Sequence, residues 1–371
     1  MKDIRLNKLA KLLVNFSTKV KKDDFVFVMC DEVATPWANE VVKEAVLAGG
    51  HVETLIYSSE IAETKLKYSS EQQLKENNFL MEQIIAKADV WLTAWGTRNT
   101  RMNSNIDAER IKFSQQGATS WRNIYSERMG DGSLRWCGTQ YPTHADAQEA
   151  SMSLDDYESF VYGAGLLDKK DPIAEWQRIS NEQEHWIKYL DTKKELHIIS
   201  KDTDITVCID GRKWINCDGR VNFPDGEIFT SPVDDKINGK ISFSFPGIYS
   251  GKEIEGIKLE VKDGIVVKAT AEKGEDILQQ LLKTDEGACR FGEVAIGTNY
   301  GIDKFTRNML FDEKIGGTVH MAIGASMPDA GGINKSVIHW DMLCNMKNGG
   351  KIYADDELFY ENGNFIDSVL S

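Results

Sequence analysis

The sequence predicts an α/β protein in two parts: an N-terminal parallel-sheet α/β domain followed by a mostly β, α+β domain. Three observations carry this. Helical and strand-like stretches alternate from the start of the chain to Ala94, as parallel sheets require. A long amphipathic helix opens at Pro172. Beyond Leu196 the pattern changes to short β-branched runs between turn residues. The chain's 371 residues are ample for more than one core, and the expected limits are 1–195 and 196–371.

Taken in order, Leu6 to Val20 has helical periodicity and Phe25 to Cys30 is an apolar run suited to a buried strand. Pro36 to Ala48 reads as a helix stopped by Gly49-Gly50, and His51 to Tyr57 as the next strand. A helix over Ser70 to Lys87 and a strand over Asp89 to Ala94 repeat the unit. No Gly-x-Gly-x-x-Gly opens any of these helices, so a dinucleotide-binding reading lacks its phosphate loop. The stretch from Pro142 to Gly163 is helical. The helix from Pro172 carries Trp176, Ile179, Trp186 and Leu190 on one stripe, which is core packing, with His185 at its surface. Strands follow at 198–199, 205–209, 241–245 and 264–269.

Acidic and imidazole residues stand out in this second part because their neighbours are apolar. Val337 to Leu343 reads as a strand, and side chains two apart on a strand share a face, so His339 and Asp341 project together. Gly317 to Gly324 sets His320 in similar surroundings, and Phe291 to Gly297 does so with Glu293. Glu227 follows a Pro224-Asp225-Gly226 turn. Singly, each has an ordinary structural explanation: a hydrogen-bonded core histidine, or a carboxylate that caps backbone or faces water. Together, carboxylates and neutral imidazoles on converging strands are the donors that zinc, cobalt or manganese takes. Burying them without a cation or proton is costly. The spacing is not that of a short motif such as His-Glu-x-x-His, which is absent.

Composition removes several classes. A hydrophobic content of 41% with 27% charged residues is that of an ordinary globular protein, and no run of eighteen apolar residues occurs. The formal charge of −14 argues against nucleic acid as a partner. The N-terminus leads into an amphipathic helix rather than a secretion signal. The six cysteines show no Cys-x-x-Cys pairing, so a cytoplasmic protein with reduced thiols, and no membrane partner, is expected.

The chain resembles the thermophilic metallo-aminopeptidase family, the group of aminopeptidase T and aminopeptidase S. The resemblance runs from Lys11-Leu12-Leu13-Val14-Asn15-Phe16-Ser17, through Met152 to Tyr157, to four specific pieces in order: Pro224 to Pro232, Gly292-Glu293-Val294-Ala295, His320 to Gly324, and His339-Trp340-Asp341. By resemblance, Glu227, Glu293, His320, His339 and Asp341 bind two divalent metal ions, and Asp312-Glu313-Lys314 matches an Asp-Glu-Asn motif whose glutamate is a further ligand, here Glu313. The chain departs from the family there, with Lys for Asn and two extra residues before His320. It departs again at Met327, where the family often has tyrosine.

The resemblance implies hydrolysis of the N-terminal bond of peptide substrates by a homodimer. Paired ions, about 3.5–4 Å apart in such sites, activate water and polarise the scissile carbonyl. Glu293 is the candidate bridging and catalytic carboxylate, and the acid that protonates the leaving amine is unassigned. The loop Gly331 to Ser336 reads as a tight turn feeding the His339 strand, with Asn334 and Lys335 as alternative substrate contacts. Two competing readings stay open: a metal-dependent amidase or dipeptidase of other specificity, and a catalytically silent binding or scaffold member of the fold.

Overall fold

The computed structural model describes residues 3–249 and 251–366. The chain divides into two compact units, residues 1–175 with 219–224, and residues 176–218 with 225–371. The limits expected at 195/196 differ from these in two places. The helix Pro172–Leu190 buries Ile187 and Leu190 in the same core as Leu196 and Ile198, so nearly all of it belongs with the second unit. The segment 219–224 returns to the first unit, where Asn222–Phe223 adds an edge strand. Hydropathy along the chain cannot register that return, because it is made by pairing between residues far apart in sequence.

Among the described residues, the first unit holds a five-stranded parallel sheet in the order 51–57, 25–31, 90–95, 135–140, 222–223. The strands at 25–31 and 90–95 are buried runs, as parallel sheets covered on both faces demand. Phe27, Met81, Ile85, Trp91 and Leu134 form one of its apolar clusters. The helix expected over Ser70 to Lys87 is instead two short helices, Glu71–Lys75 and Phe79–Ile85, each started by a side-chain cap, from Ser70 and Asn78. The helical stretch from Pro142 is likewise broken, into His144–Glu149 and Leu154–Ala164. Helices Ser59–Tyr68 and Thr119–Gly130 are absent from the sequence reading; neither fully buries a residue, and the second packs only Trp121, Ile124 and Tyr125 partly against the apolar cluster.

The second unit contains an eight-stranded antiparallel sheet and a separate five-stranded antiparallel sheet, the latter in the order 339–345, 318–324, 291–297, 227–230, 215–217. The expected α/β part followed by a mostly β part is therefore the architecture found. No described helix is long and apolar enough to cross a membrane.

The five-stranded sheet has two faces of opposite character. Ile228, Val294, Ile296, Val319, Met321, Ile323, Trp340 and Met342 point into the main apolar core. The alternate positions carry Glu227, Glu293, His320, His339 and Asp341, and the register sets small residues opposite them: Ala295 opposite His320, Ala322 opposite Asp341 and Glu293, Gly297 opposite Glu227. Ala295 and Ala322 carry only methyl groups, so nothing bulky stands between the ionisable side chains.

One irregularity makes this possible. Phe291 and Glu293 are two apart and would share a face in a regular strand, yet Phe291 is in the core. The register shifts between them, a bulge at Gly292, and the parity flips. A Cβ at Gly292 would overlap the Ala325 carbonyl, so the bulge needs glycine. Gly292→Ala is expected to cost about 1–3 kcal/mol, as overpacked interiors do, seen as a lowered urea midpoint. An unchanged midpoint would contradict this account of the bulge.

Candidate metal centre

The ionisable side chains are positioned by their strands and by bonds around them. Gln183, fully buried on the helix 172–190, donates to the main-chain carbonyls of Cys217 and Glu227 and so ties the edge strand 215–217 and its neighbour 227–230 to the helix. Gly226 precedes Glu227 at φ +121° with Asn299 packed against it, where an added Cβ would lie 2.6 Å from the Asn299 Cβ. The Asn299 amide in turn donates to the Asp225 carbonyl at 2.8 Å. The His339 Nδ1–H donates to the Ala325 carbonyl at 2.8 Å, which fixes the tautomer and aims Nε2 at the carboxylates.

Glu293 is the centre. Its Oε1 lies 3.2 Å from His320 Nε2 and its Oε2 lies 3.6 Å from His339 Nε2, so each oxygen faces a different imidazole. Glu227 Oε2 is 3.4 Å from His320 Nε2, and Asp341 Oδ1 is 3.4 Å from His339 Nε2. Two groups of donors result, Glu227–Glu293–His320 and Glu293–His339–Asp341. Within each, the donor atoms lie within 4.8 Å of one another, and Glu293 is common to both. Glu227, Glu293 and His320 are buried, while His339 and Asp341 are partly open, with side chains 26% and 12% exposed.

The donors fit a cation on chemical grounds. Glu227 Oε2 and Asp341 Oδ1 are buried atoms without a hydrogen-bond partner, and a carboxylate oxygen can only accept. Neutral His339, with its proton on Nδ1, presents Nε2 as an acceptor, so a proton or a metal ion must lie between it and Asp341; His320 Nε2 meets its carboxylates likewise through its own proton or an ion. His320 lacks the outer bond that His339 has, since its Nδ1 is buried without a partner.

With no ion present, protons take that role. Burial pulls the His339 imidazole down, but Asp341 and Glu293 beside it outweigh this and raise it to about 10. His320 is likewise raised to about 9 against burial, by the bond to Glu293 and the charges of Glu227 and Asp341. Burial raises Glu227 to about 8, and it raises Glu293 as well. Asp341 alone moves down, because His339 and the other cations outweigh its burial.

Five of the six expected ligands, Glu227, Glu293, His320, His339 and Asp341, are thus brought together. The sixth, Glu313, joins neither group and is instead paired with the Lys314 ammonium. Sequence reasoning passed over Cys217, Asp225 and Lys314. Cys217 and Asp225 form a third donor group with Glu227. Lys314 is fully buried, with Nζ 3.2 Å from Glu227 Oε1 and 3.6 Å from Asp225 Oδ1. Its sequence signal was its position, a lysine inside the segment Phe311-Asp312-Glu313-Lys314-Ile315-Gly316-Gly317. The loop after His320 is a hydrogen-bonded turn: Asn334 donates to Gly287 O and receives bonds from Ser336, and Lys335 is exposed.

A sheet face that gathers carboxylates and imidazoles around a shared glutamate is the donor set of a metal-dependent hydrolase. The chain belongs to the thermophilic metalloprotease (M29) family, which it matches over residues 2–365. It is 28% identical to Aminopeptidase 2 of Geobacillus stearothermophilus, with 91% of each chain covered. It is 25% identical to Aminopeptidase T of Thermus thermophilus, covering 96% of this chain and 95% of that one. The solved structure of wild-type AmpT from Thermus thermophilus matches with a TM-score of 0.84 at 22% identity, over 98% of this chain and 99% of that one, a likeness of fold. The family resemblance drawn from the motifs is therefore the membership found. The chain is a hydrolase of a family that works with divalent metal.

The raised groups set a pH dependence for the metal-free protein. His320, His339 and Glu227 hold protons more tightly folded than unfolded, so their contribution is fully present below their unfolded values and is lost as pH rises through about 8 to 10. Chelator-treated protein is expected to lose thermal stability from neutral pH to about pH 10, and zinc or manganese to restore more of it at the alkaline end. Equal ion-induced stabilisation at all pH values would contradict this arrangement.

Proposed function

We propose that the protein is an aminopeptidase that uses two divalent ions, zinc, cobalt or manganese, to hydrolyse the N-terminal bond of peptides. The observation that carries this is Glu293, whose two oxygens face two different imidazoles and so belong to both donor groups. The names of the relatives, Aminopeptidase 2 and Aminopeptidase T, support the reaction class.

In this reading Glu227 and His320 would hold one ion and His339 and Asp341 the other, with Glu293 a donor common to both groups. Ions bound there supply Lewis acidity toward the scissile carbonyl and lower the pKa of water at the site. The chain's own contribution is orientation and proton handling. The Ala325 carbonyl keeps the His339 proton on Nδ1, which leaves the Nε2 lone pair for the ion. Glu293 and Asp341 line the position such a water would take and would orient it, and the group that carries its proton to the leaving amine is unassigned. Glu313, paired with Lys314, is assigned no ligand role. Met327 supplies no phenol, so a step that uses tyrosine elsewhere in the family is done without it.

The same reading includes a homodimer in the cytoplasm, acting on peptides and on neither nucleic acid nor membranes, with the catalytic centre in the unit of residues 176–218 and 225–371. Sedimentation of the purified chain tests the dimer.

The metal-replete protein is expected to hold two ions per chain by elemental analysis and to cleave short peptides with a free amino terminus. Removing an outer partner of a metal ligand costs about 10–100-fold, so His339→Ala, which removes a ligand, is expected to cost more than about a hundredfold in kcat/KM. Full turnover by His339→Ala or by stripped protein would refute the mechanism. Cleavage of N-acetylated peptides as fast as free ones would favour an amidase of other specificity, to which the departure at Met327 gives a specific reason. Absence of turnover with tightly held metal would favour a silent binding member.

A further inference from the structure

The two-ion reading leaves one charged group at the site without a role. Lys314 is fully buried, and an ammonium taken out of water is unfavourable unless carboxylates surround it. Three do: Glu227 Oε1 at 3.2 Å, Asp225 Oδ1 at 3.6 Å, and Glu313 Oε1 in direct contact. Its backbone is pinned on both sides, since its N–H donates to Phe311 O at 3.1 Å and its carbonyl accepts from Asn299 N at 3.0 Å. Asn299 also holds Asp225 through that residue's carbonyl. The main chain is thus fixed where the buried ammonium meets Glu227, Asp225 and Glu313.

The consequence lies in the two oxygens of Glu227. One is occupied by Lys314. The other, Oε2, is buried, has no hydrogen-bond partner, and lies 3.4 Å from His320 Nε2. A carboxylate free to rotate would present either oxygen, or both, to an ion; this one presents a single oxygen toward His320 and Glu293. The third donor group, Cys217–Asp225–Glu227, is the group that Lys314 faces, with Nζ in ion-pair range of both its carboxylates. That group already has its cation. The charges balance accordingly, because two divalent ions and one ammonium offset Asp225, Glu227, Glu293, Glu313 and Asp341.

Resting on the two-ion reading, we propose that Lys314 is a positioning residue of the metal centre: its ammonium holds Glu227 by one oxygen, so that the other is turned to the ion shared with His320 and Glu293. Lys314 touches no substrate in this assignment and acts through Glu227.

The test is ion binding by the full-length protein, read by competition of cobalt(II) with a chromophoric chelator, by elemental analysis, and by the visible spectrum of bound cobalt. The parent is expected to take two ions. Lys314→Met is expected to weaken one of them by about 10–100-fold, the cost typical of an outer partner, and to alter that ion's absorption bands while the other keeps its affinity. Near-UV circular dichroism establishes that the variant is folded. If Lys314→Met does not fold, the double variant with Asp225→Asn, which removes one uncompensated carboxylate, carries the same measurement.

A purely structural lysine would lower the melting temperature and leave affinity and spectrum unmoved, which overturns the proposal while the two-ion reading stands. A third ion bound by Lys314→Met, with the first two unaltered, also overturns it, since Lys314 would then exclude an ion rather than orient a ligand. A parent that binds no ion overturns the two-ion reading and this assignment with it.

Discussion

The constraint on which the rest of this structure depends is the burial of carboxylates and imidazoles on one face of a sheet whose other face is the hydrophobic core. Neither face can be given up. Turning Glu293 and His320 to solvent would require Val294 and Met321 to leave the core, because strand side chains alternate. The sheet therefore locks acidic and basic groups together in a low-dielectric pocket where only protons or cations can reconcile them. The raised imidazoles and carboxyls are the record of that conflict.

Local backbone features decide which atoms meet. A one-residue bulge at Gly292 brings Glu293 onto the ionisable face while Phe291 stays in the core. A left-handed glycine at 226 starts the Glu227 strand against Asn299, and Asn299 is also the main-chain partner of Lys314. A short stretch of irregular chain thus couples the Glu227 carboxylate to a buried ammonium. Gln183 anchors the same strand and its edge neighbour from the helix side through main-chain carbonyls. Such support costs the site little freedom it needs, because every bond named here goes to backbone or to the atom of a side chain that faces away from the shared pocket.

The relatives show how much sequence can change while the fold persists. Identities of about a quarter accompany near-complete coverage, and the fold is matched at a TM-score of 0.84. The two departures stand on different footings. Met327 packs by its backbone, bonded to Ser231 and Gly332, and offers no ionisable group. Lys314 introduces a charge at the centre of the site and draws Glu313 onto itself. Lys314 thus sets a charge beside Glu227 and Asp225, whereas Met327 offers no ionisable side chain.

Sequence by itself determined the alternation of helix and strand in the first part, the change to short strands after residue 195, and the five ligand candidates. Each of these is written in periodicity, or in a charged residue among apolar neighbours. His339 and Asp341 were legible as a pair because two residues of strand put them on one face. What tertiary structure decided is everything that depends on pairing across distance. The return of 219–224 to the first unit, the bulge that turns Glu293, the third donor group with Cys217 and Asp225, and the pairing of Glu313 with Lys314 all lie in strand register and side-chain approach. Resemblance made Glu313 a ligand. In the structure its carboxylate pairs with the ammonium of Lys314, one residue on, an approach that sequence spacing does not reveal.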